Sequence, residues 1–267
     1  ITTSWIEGVK LKDRNELKDN GLIPSSFIRT GVISGLQQLF EHGYFHADPH
    51  PGNMFAMEGG DDKNGKIAYV DFGMMDSISD SDRLTLIKAI VHLINNEFLL
   101  LAKDFQKLGF LSADQNLELL VNPLKEVLGN SLGKEVGNFN FKEITDKFSK
   151  LMYSYPFRVP SRFALIIRAV VSQEGLALRL DPGFKIINIA YPYIAKKLLT
   201  DNSDEIVNIL LEVIFDKKGK IQIEKLESLL NILFKDSINI NSDLIPVANA
   251  SLKLFISDKG SQVRKNL

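Results

Sequence analysis

No cysteine occurs among the 267 residues. Disulfide scaffolds, thiolate zinc centres and cysteine nucleophiles are thereby excluded, and a reducing compartment is compatible. Also lacking is a run of about 18 apolar residues, the length of a membrane span. The best stretch, Phe163 to Val171, is interrupted by Arg168. Neither sign of charge dominates: Lys plus Arg is 32 and Asp plus Glu is 33, a formal net charge of −1. Electrostatic nucleic-acid binding leaves an excess of Lys and Arg, so no nucleic-acid partner is expected. Glycine (18) and proline (9) are ordinary in amount, which excludes collagen-like and disordered classes. What is there is an apolar fraction of 45%, enough to bury a core as one large domain or two modest ones.

Along the chain, the N-terminal part mixes strand and helix signals. Ile1 to Ile6 is β-branched and aromatic and reads as a strand that Gly8 ends. Ile1 has neither cap nor linker before it, so the expectation is a piece of a longer chain. Pro24, Ser25 and Ser26 open a helix with Phe27, Ile28, Val32, Leu36, Leu39 and Phe40 at helical spacing, and Gly43 stands where a C′ glycine stops it. Met54–Ala56 and Ile67–Val70 read as two short strands joined by the polar run Gly59 to Gly65, a hairpin. Ser79 reads as the N-cap of the next helix, with Asp80 and Asp82 in its first turn. Beyond it only helical periodicity is found. It predicts helices over Asp114–Leu128, Phe141–Tyr153, Pro160–Leu178, Phe184–Leu199, Ser203–Phe215, Ile223–Phe234 and Asp243–Ile256.

The segment that carries chemistry is His46-Ala47-Asp48-Pro49-His50-Pro51-Gly52-Asn53, followed by Asp71-Phe72-Gly73. Asn53 lies five residues after Asp48, and Asp71 leaves the second strand of the hairpin. The hairpin folds these positions side by side, so two carboxylates and one amide oxygen face one point. Hard oxygen ligands of this kind suit Mg²⁺, which takes its remaining ligands from phosphate and water. Phosphoryl transfer needs such a cation and a carboxylate to orient the attacking hydroxyl. The order His-x-Asp, four residues, Asn, then Asp-Phe-Gly is the kinase pattern. An alternative is a His46-Asp48-His50 metal cluster of a hydrolase. Two prolines restrict that loop, and no further ligand set is evident.

The run Gly43 to Asn53 closely resembles the catalytic loop of the AarF/UbiB-type atypical kinases, and Ile67 to Gly73 resembles their metal-binding strand. Trp5 to Leu11 looks like the hinge after their fifth strand. Pro156 to Pro160, Phe163 to Arg168, Glu174 to Leu178 and Ala190 to Leu199 are similar to cyanobacterial and plastid members. The resemblance covers roughly the first three quarters of the chain and fades after Thr200. It implies Asp48 as the catalytic-loop acid, Asn53 and Asp71 as Mg²⁺ ligands, and His46 as a loop support. The backbone near Ser4 and Ile6 would meet the adenine of ATP. His50 would contact phosphate or hydrogen-bond its own loop.

On this resemblance the fold is α+β. Residues 1–200 form a protein-kinase-like C-lobe, mostly α-helical with a small β hairpin, and residues 201–267 form a helical extension. The family binds ATP with Mg²⁺, shows ATPase or unorthodox kinase activity, and supports isoprenoid-quinone or prenyl-lipid metabolism. It implies a prenyl lipid, quinone precursor or membrane surface as partner. A plastid or cyanobacterial location follows, membrane- or lipid-droplet-associated, with mitochondria as the alternative. The family's N-lobe motifs, including the lysine that grips the phosphates, do not occur here, so this stretch alone is expected to be inactive.

Two departures bear on the acceptor. Ala47 replaces the arginine that would receive a phosphorylated activation loop, and only Met74 to Ile78 separates Gly73 from the Ser79 cap. A conventional protein substrate is therefore not expected. The alternatives are a small-molecule kinase of the aminoglycoside or choline type, against which Phe72 and Gly73 speak, and a non-catalytic scaffold. Phe163 and Ile166 are assigned to the core, with a lipid-facing groove as a second use. His92 reads as a packed or partly exposed helix residue.

Overall fold

A computed structural model describes residues 4–59, 65–129 and 157–215, together with the single positions 149, 155, 220, 222, 225, 227 and 229. The chain divides into two compact units, Ile1–Ala190 and Tyr191–Leu267.

In the first unit, β1 (Val9–Lys10), β3 (Met54–Met57) and β4 (Lys66–Tyr69) form an antiparallel sheet in the order β1-β3-β4. The register pairs Met54 with Tyr69 and Ala56 with both Ile67 and Val9. Met54 and Ala56 alternate inward and are buried, the period-2 pattern of a strand with one face in the core. A second pair joins β2 (Tyr44–His46) to β5 (Met75–Ser77), with His46 opposite Met75. The expected hairpin is present as β3 and β4. Of the strand expected over Ile1–Ile6, residues 1–3 lie outside the described residues; Ser4, Trp5 and Ile6 are irregular, and among the described residues pairing begins at Val9. β-propensity without a partner strand fixes nothing, and among the described residues none pairs with Ser4–Ile6.

Gly8 admits this entry. A Cβ there would lie 2.7 Å from the Ala56 carbonyl oxygen and 2.9 Å from Met57 Sδ. Gly8→Ala is expected to destabilise the fold by about 1–3 kcal/mol, as overpacking does. An unchanged thermal midpoint would show that β1 tolerates more space than this contact allows.

Helices cover the sheet. α1 (Arg14–Asp19) is a short helix that the sequence pattern does not reveal; Asp13 caps it by accepting from the Asn15 N–H at 2.7 Å. α2 (Pro24–Gln37) opens with proline at its first turn and runs into a π-helical turn, Gln38–His42. Gly43 ends it at φ 65°, the left-handed conformation predicted for that glycine. α3 (Asp80–Ile94) is capped by the Ser79 hydroxyl, which accepts from the Asp82 N–H at 3.1 Å. α4 (Phe98–Lys107) is a further helix not anticipated, and α5 (Glu118–Leu128) begins four residues later than expected. The late start has a local cause. Gln106 Nε2 donates to the carbonyls of Ser112 and Ala113, Ser112 hydrogen-bonds Asp114, and Asn116 Oδ1 accepts from the Glu118 N–H. Such short-range bonds compete with the helix.

α6 (Ser161–Leu180) returns to the sheet, so that Leu176, Ala177 and Leu180 share a core with Leu11, Leu17, Phe27, Ile28 and Met54. Phe163 and Ile166 are buried. α7 (Ile187–Thr200) crosses the unit boundary. In the second unit α8 (Asp204–Ile214) buries Ile206, Ile209, Leu210 and Val213 at helical spacing. The helices expected over Phe141–Tyr153, Ile223–Phe234 and Asp243–Ile256 lie, single positions apart, outside the described residues. The class is α+β, mostly helical, as the sequence indicated. No helix among the described residues is long and apolar enough to cross a membrane.

Candidate functional site

Both loops of interest hang from the ends of paired strands. β2 leads into Ala47–His50, and a single turn of 3₁₀ helix (Pro51–Asn53) leads into β3. On the other side β4 ends at Tyr69, and Val70 carries the chain to Asp71. The Val70 N–H donates to the Asn53 carbonyl at 2.9 Å, so Asn53 and Asp71 are held one residue out of register across the same ladder.

His46 ties the two loops. It is 4% exposed. Its Nδ1 accepts from the Asp48 N–H at 3.1 Å, which leaves the proton on Nε2, facing the Val70 carbonyl at 3.3 Å. Its own N–H donates to Gln38 Oε1 at 2.9 Å, a side chain presented by the π turn. The rings of Tyr69 and Phe72 lie 6.1 and 6.0 Å away. With both nitrogens engaged, His46 is not available as a metal ligand, which removes the His46-Asp48-His50 alternative. His46, Tyr69 and Phe72 also line a recess of about 440 Å³. Burial pushes the Tyr69 phenol above its ordinary value. The Ser34 hydroxyl offsets part of this, yet Tyr69 Oη has no partner in hydrogen-bonding geometry.

Asp48 is partly open, its side chain 21% exposed. Arg168 Nη2 sits 3.0 Å from Asp48 Oδ1, and His50 Nε2 sits 4.0 Å from Oδ2. His50 Nδ1 accepts from the Gly52 N–H at 3.0 Å, capping the 3₁₀ turn. Buried Asn53 directs its amide nitrogen to the Asp48 carbonyl at 3.3 Å, which leaves the amide oxygen as the group available to a cation. Asp71 is exposed and holds φ at 61°, a left-handed conformation that Asp tolerates better than most residues. Its Oδ1 faces the Gly73 N–H at 3.4 Å, at the outer edge of hydrogen bonding.

The structure thus brings Asp48, His50, Asn53 and Asp71 to one small region. Ser4 and Ile6 lie on the irregular lead into β1, and among the described residues no hydrogen bond or ion pair joins them to it. Nor do three His, Asp or Glu side chains converge there into a self-sufficient metal cluster. One amide oxygen and one exposed carboxylate fit a hard cation such as Mg²⁺ that completes its shell with phosphate and water. Sequence reasoning missed Arg168, whose signal was the charge interrupting the apolar run Phe163 to Val171.

Part of the chain is similar in sequence to a known domain, and the whole of it to known proteins. Residues 1–105 match the ABC1 atypical kinase-like domain. An uncharacterized protein of the cyanobacterium Synechocystis is 48% identical across the whole chain, which covers 46% of that protein. Protein ACTIVITY OF BC1 COMPLEX KINASE 1, chloroplastic, of Arabidopsis thaliana is 38% identical, the chain covering 40% of it. A chloroplastic aarF domain-containing protein kinase of the same plant is 33% identical, with 37% of it covered. The chain therefore spans less than half the length of these relatives. The catalytic-type loop, the hairpin and the Asp-Phe-Gly turn all lie inside the matched span, so residues 1–105 carry the ABC1 atypical kinase-like domain of the AarF/UbiB type.

Proposed function

We propose that the complete gene product is an ATP-binding, Mg²⁺-dependent atypical kinase or ATPase that serves isoprenoid-quinone or prenyl-lipid metabolism in a plastid or cyanobacterial setting. The observation that carries the reading is the His46 bridge, which fixes Asp48 on one side and Val70-Asp71 on the other. Bound Mg²⁺ would neutralise phosphate charge, held by the Asn53 amide oxygen and the Asp71 carboxylate. Asp48 orients the attacking oxygen and receives its proton. The acceptor oxygen bonds to the γ-phosphorus, the bond to the bridging oxygen breaks, and ADP leaves with the electron pair. His50 stands ready to contact phosphate through Nε2, its Nδ1 being engaged. Ser4 and Ile6 are assigned to the adenine, on the family resemblance alone.

The acceptor is read from the segment after Gly73. β5 closes at once on β2, and the Ala47 N–H donates to the Met74 carbonyl at 2.9 Å. Ala47 is 1% exposed, so this position offers no arginine-like receptor for a phosphorylated loop. An extended peptide has no platform of ordinary length here. A small or lipid-like acceptor, or ATP hydrolysis alone, is the better fit. The chloroplastic and cyanobacterial relatives support the location.

The test is an ADP-release assay beside a radiolabel-transfer assay on the complete gene product, with and without lipid vesicles or a quinone-precursor mimic. Expected are Mg²⁺-dependent ADP release that responds to the lipid or mimic, and negligible transfer to generic peptides. Robust peptide phosphorylation with no lipid or quinone response would restore an ordinary protein kinase.

A further inference from the structure

The guanidinium paired with Asp48 comes from a helix that begins 113 residues later, well beyond the span that matches the family domain. Arg168 lies two turns into α6 and places Nη2 3.0 Å from Asp48 Oδ1. Packing, rather than this ion pair, sets its position. At the start of α6, Arg162 Nε sits 3.0 Å from Asp82 Oδ2 at the head of α3, and its Nη2 donates to the Leu108 carbonyl at 3.1 Å. The same guanidinium lies 5.0 Å over the Phe163 ring. At the end of α6, Leu176, Ala177 and Leu180 sit in the core that contains Met54. Met54 directly follows Asn53, so the core that anchors α6 also anchors the loop. Arg168 is 52% exposed and Asp48 21%, a setting in which an ion pair adds little to stability.

Resting on the phosphotransfer reading above, we infer that Arg168 is a positioning residue of the phosphoryl-transfer site. Its guanidinium holds Oδ1 of Asp48 so that Oδ2 faces the acceptor. One charge-assisted hydrogen bond fixes the rotation of the carboxylate, which a free Asp side chain would sample broadly. The acceptor proton then passes to Oδ2 as the new bond to the γ-phosphorus forms and ADP departs. The cation is permanent, since guanidinium does not deprotonate in proteins, and His50 on the other oxygen is a longer contact at 4.0 Å. The region after residue 105 thereby supplies part of the reaction geometry as well as a helical body.

The experiment uses the complete gene product with Arg168→Gln, Arg168→Lys, Asp48→Asn and the Asp48→Asn/Arg168→Gln pair, measured by steady-state MgATP turnover and thermal melting. Wild-type turnover that falls steeply, but to a still measurable rate, in Asp48→Asn establishes the phosphotransfer reading; the absence of wild-type turnover, or no fall in Asp48→Asn, would overturn that reading and this inference together. Given turnover, Arg168→Gln is expected to lower kcat about 10–100-fold, the usual loss when a supporting partner is removed. KM for ATP should stay within about threefold, because the contact serves the transition state more than nucleotide binding. Arg168→Lys should recover part of the loss, and Arg168→Gln should cost nothing further in the Asp48→Asn background. Unchanged or raised kcat, a loss confined to KM, no recovery by lysine, or a kcat loss that tracks a lowered melting point would each overturn the inference alone.

Discussion

Asp71→Asn in the complete gene product is expected to lower Mg²⁺-dependent nucleotide turnover by about 10³-fold or more, in the range seen when a preorganised charge is removed from a transition-state site. The substitution is chosen for what it keeps. Asp71 stands at φ 61°, and asparagine adopts that conformation as readily as aspartate. The Asn Oδ1 retains the ability to face the Gly73 N–H, which Asp71 meets at 3.4 Å. Only the negative charge is lost. Asp71 is solvent-exposed, so the thermal midpoint should be unchanged. Titration of the protein with Mg²⁺ in the presence of a non-hydrolysable nucleotide gives a second readout, in which the variant should require more metal. Wild-type turnover with unaltered Mg²⁺ dependence would remove Asp71 from the metal site.

The second large effect concerns stability. His92 on α3 and Asp104 on α4 are buried, at 8% and 2% exposure. His92 Nδ1 lies 2.6 Å from Asp104 Oδ2, a short hydrogen bond in a buried helix–helix contact. His92→Ala leaves a buried carboxyl without its donor, and breaking such a pair costs about 3–5 kcal/mol. Replacing both partners by apolar residues, as in His92→Phe with Asp104→Leu, should return most of that loss, since a well-packed apolar substitute is often neutral. Denaturant unfolding of the single and double variants measures this. A double variant no more stable than His92→Ala would show that the cost is a packing cavity and not the orphaned carboxyl.

The elements that the sequence displayed are those with local causes. Pro24 at a helix start, Gly43 at a helix end and the Ser79 cap each act over one turn, and each stands where the sequence places it. β3 and β4 were legible because alternation and a polar turn specify a hairpin without distant help. β2 and β5 were not, being three residues each and defined by pairing with one another across the intervening hairpin. α1 has only six residues, too few for a periodic signal. Ser4 to Ile6 shows the converse: strand-forming residues with no described partner remain irregular.

By itself the sequence determined the pattern carried by the loop: Asp48, Asn53 and Asp71 at kinase spacing, on a hairpin, in a mostly helical chain whose residues 1–105 match the ABC1 atypical kinase-like domain. Such spacing is local, and a motif confined to one loop and one hairpin survives in one dimension. The tertiary structure decided how that loop is held. Both nitrogens of His46 are committed to bridging Asp48 and Val70, Arg168 arrives from α6 to grip Asp48, and His92 finds Asp104 across two helices. These partners are chosen by helix packing around a shared core that includes Phe27, Met54 and Leu176. Contacts set by packing leave no periodic trace in the sequence, because nothing in the spacing of 48 and 168 tells that the core draws their backbones together.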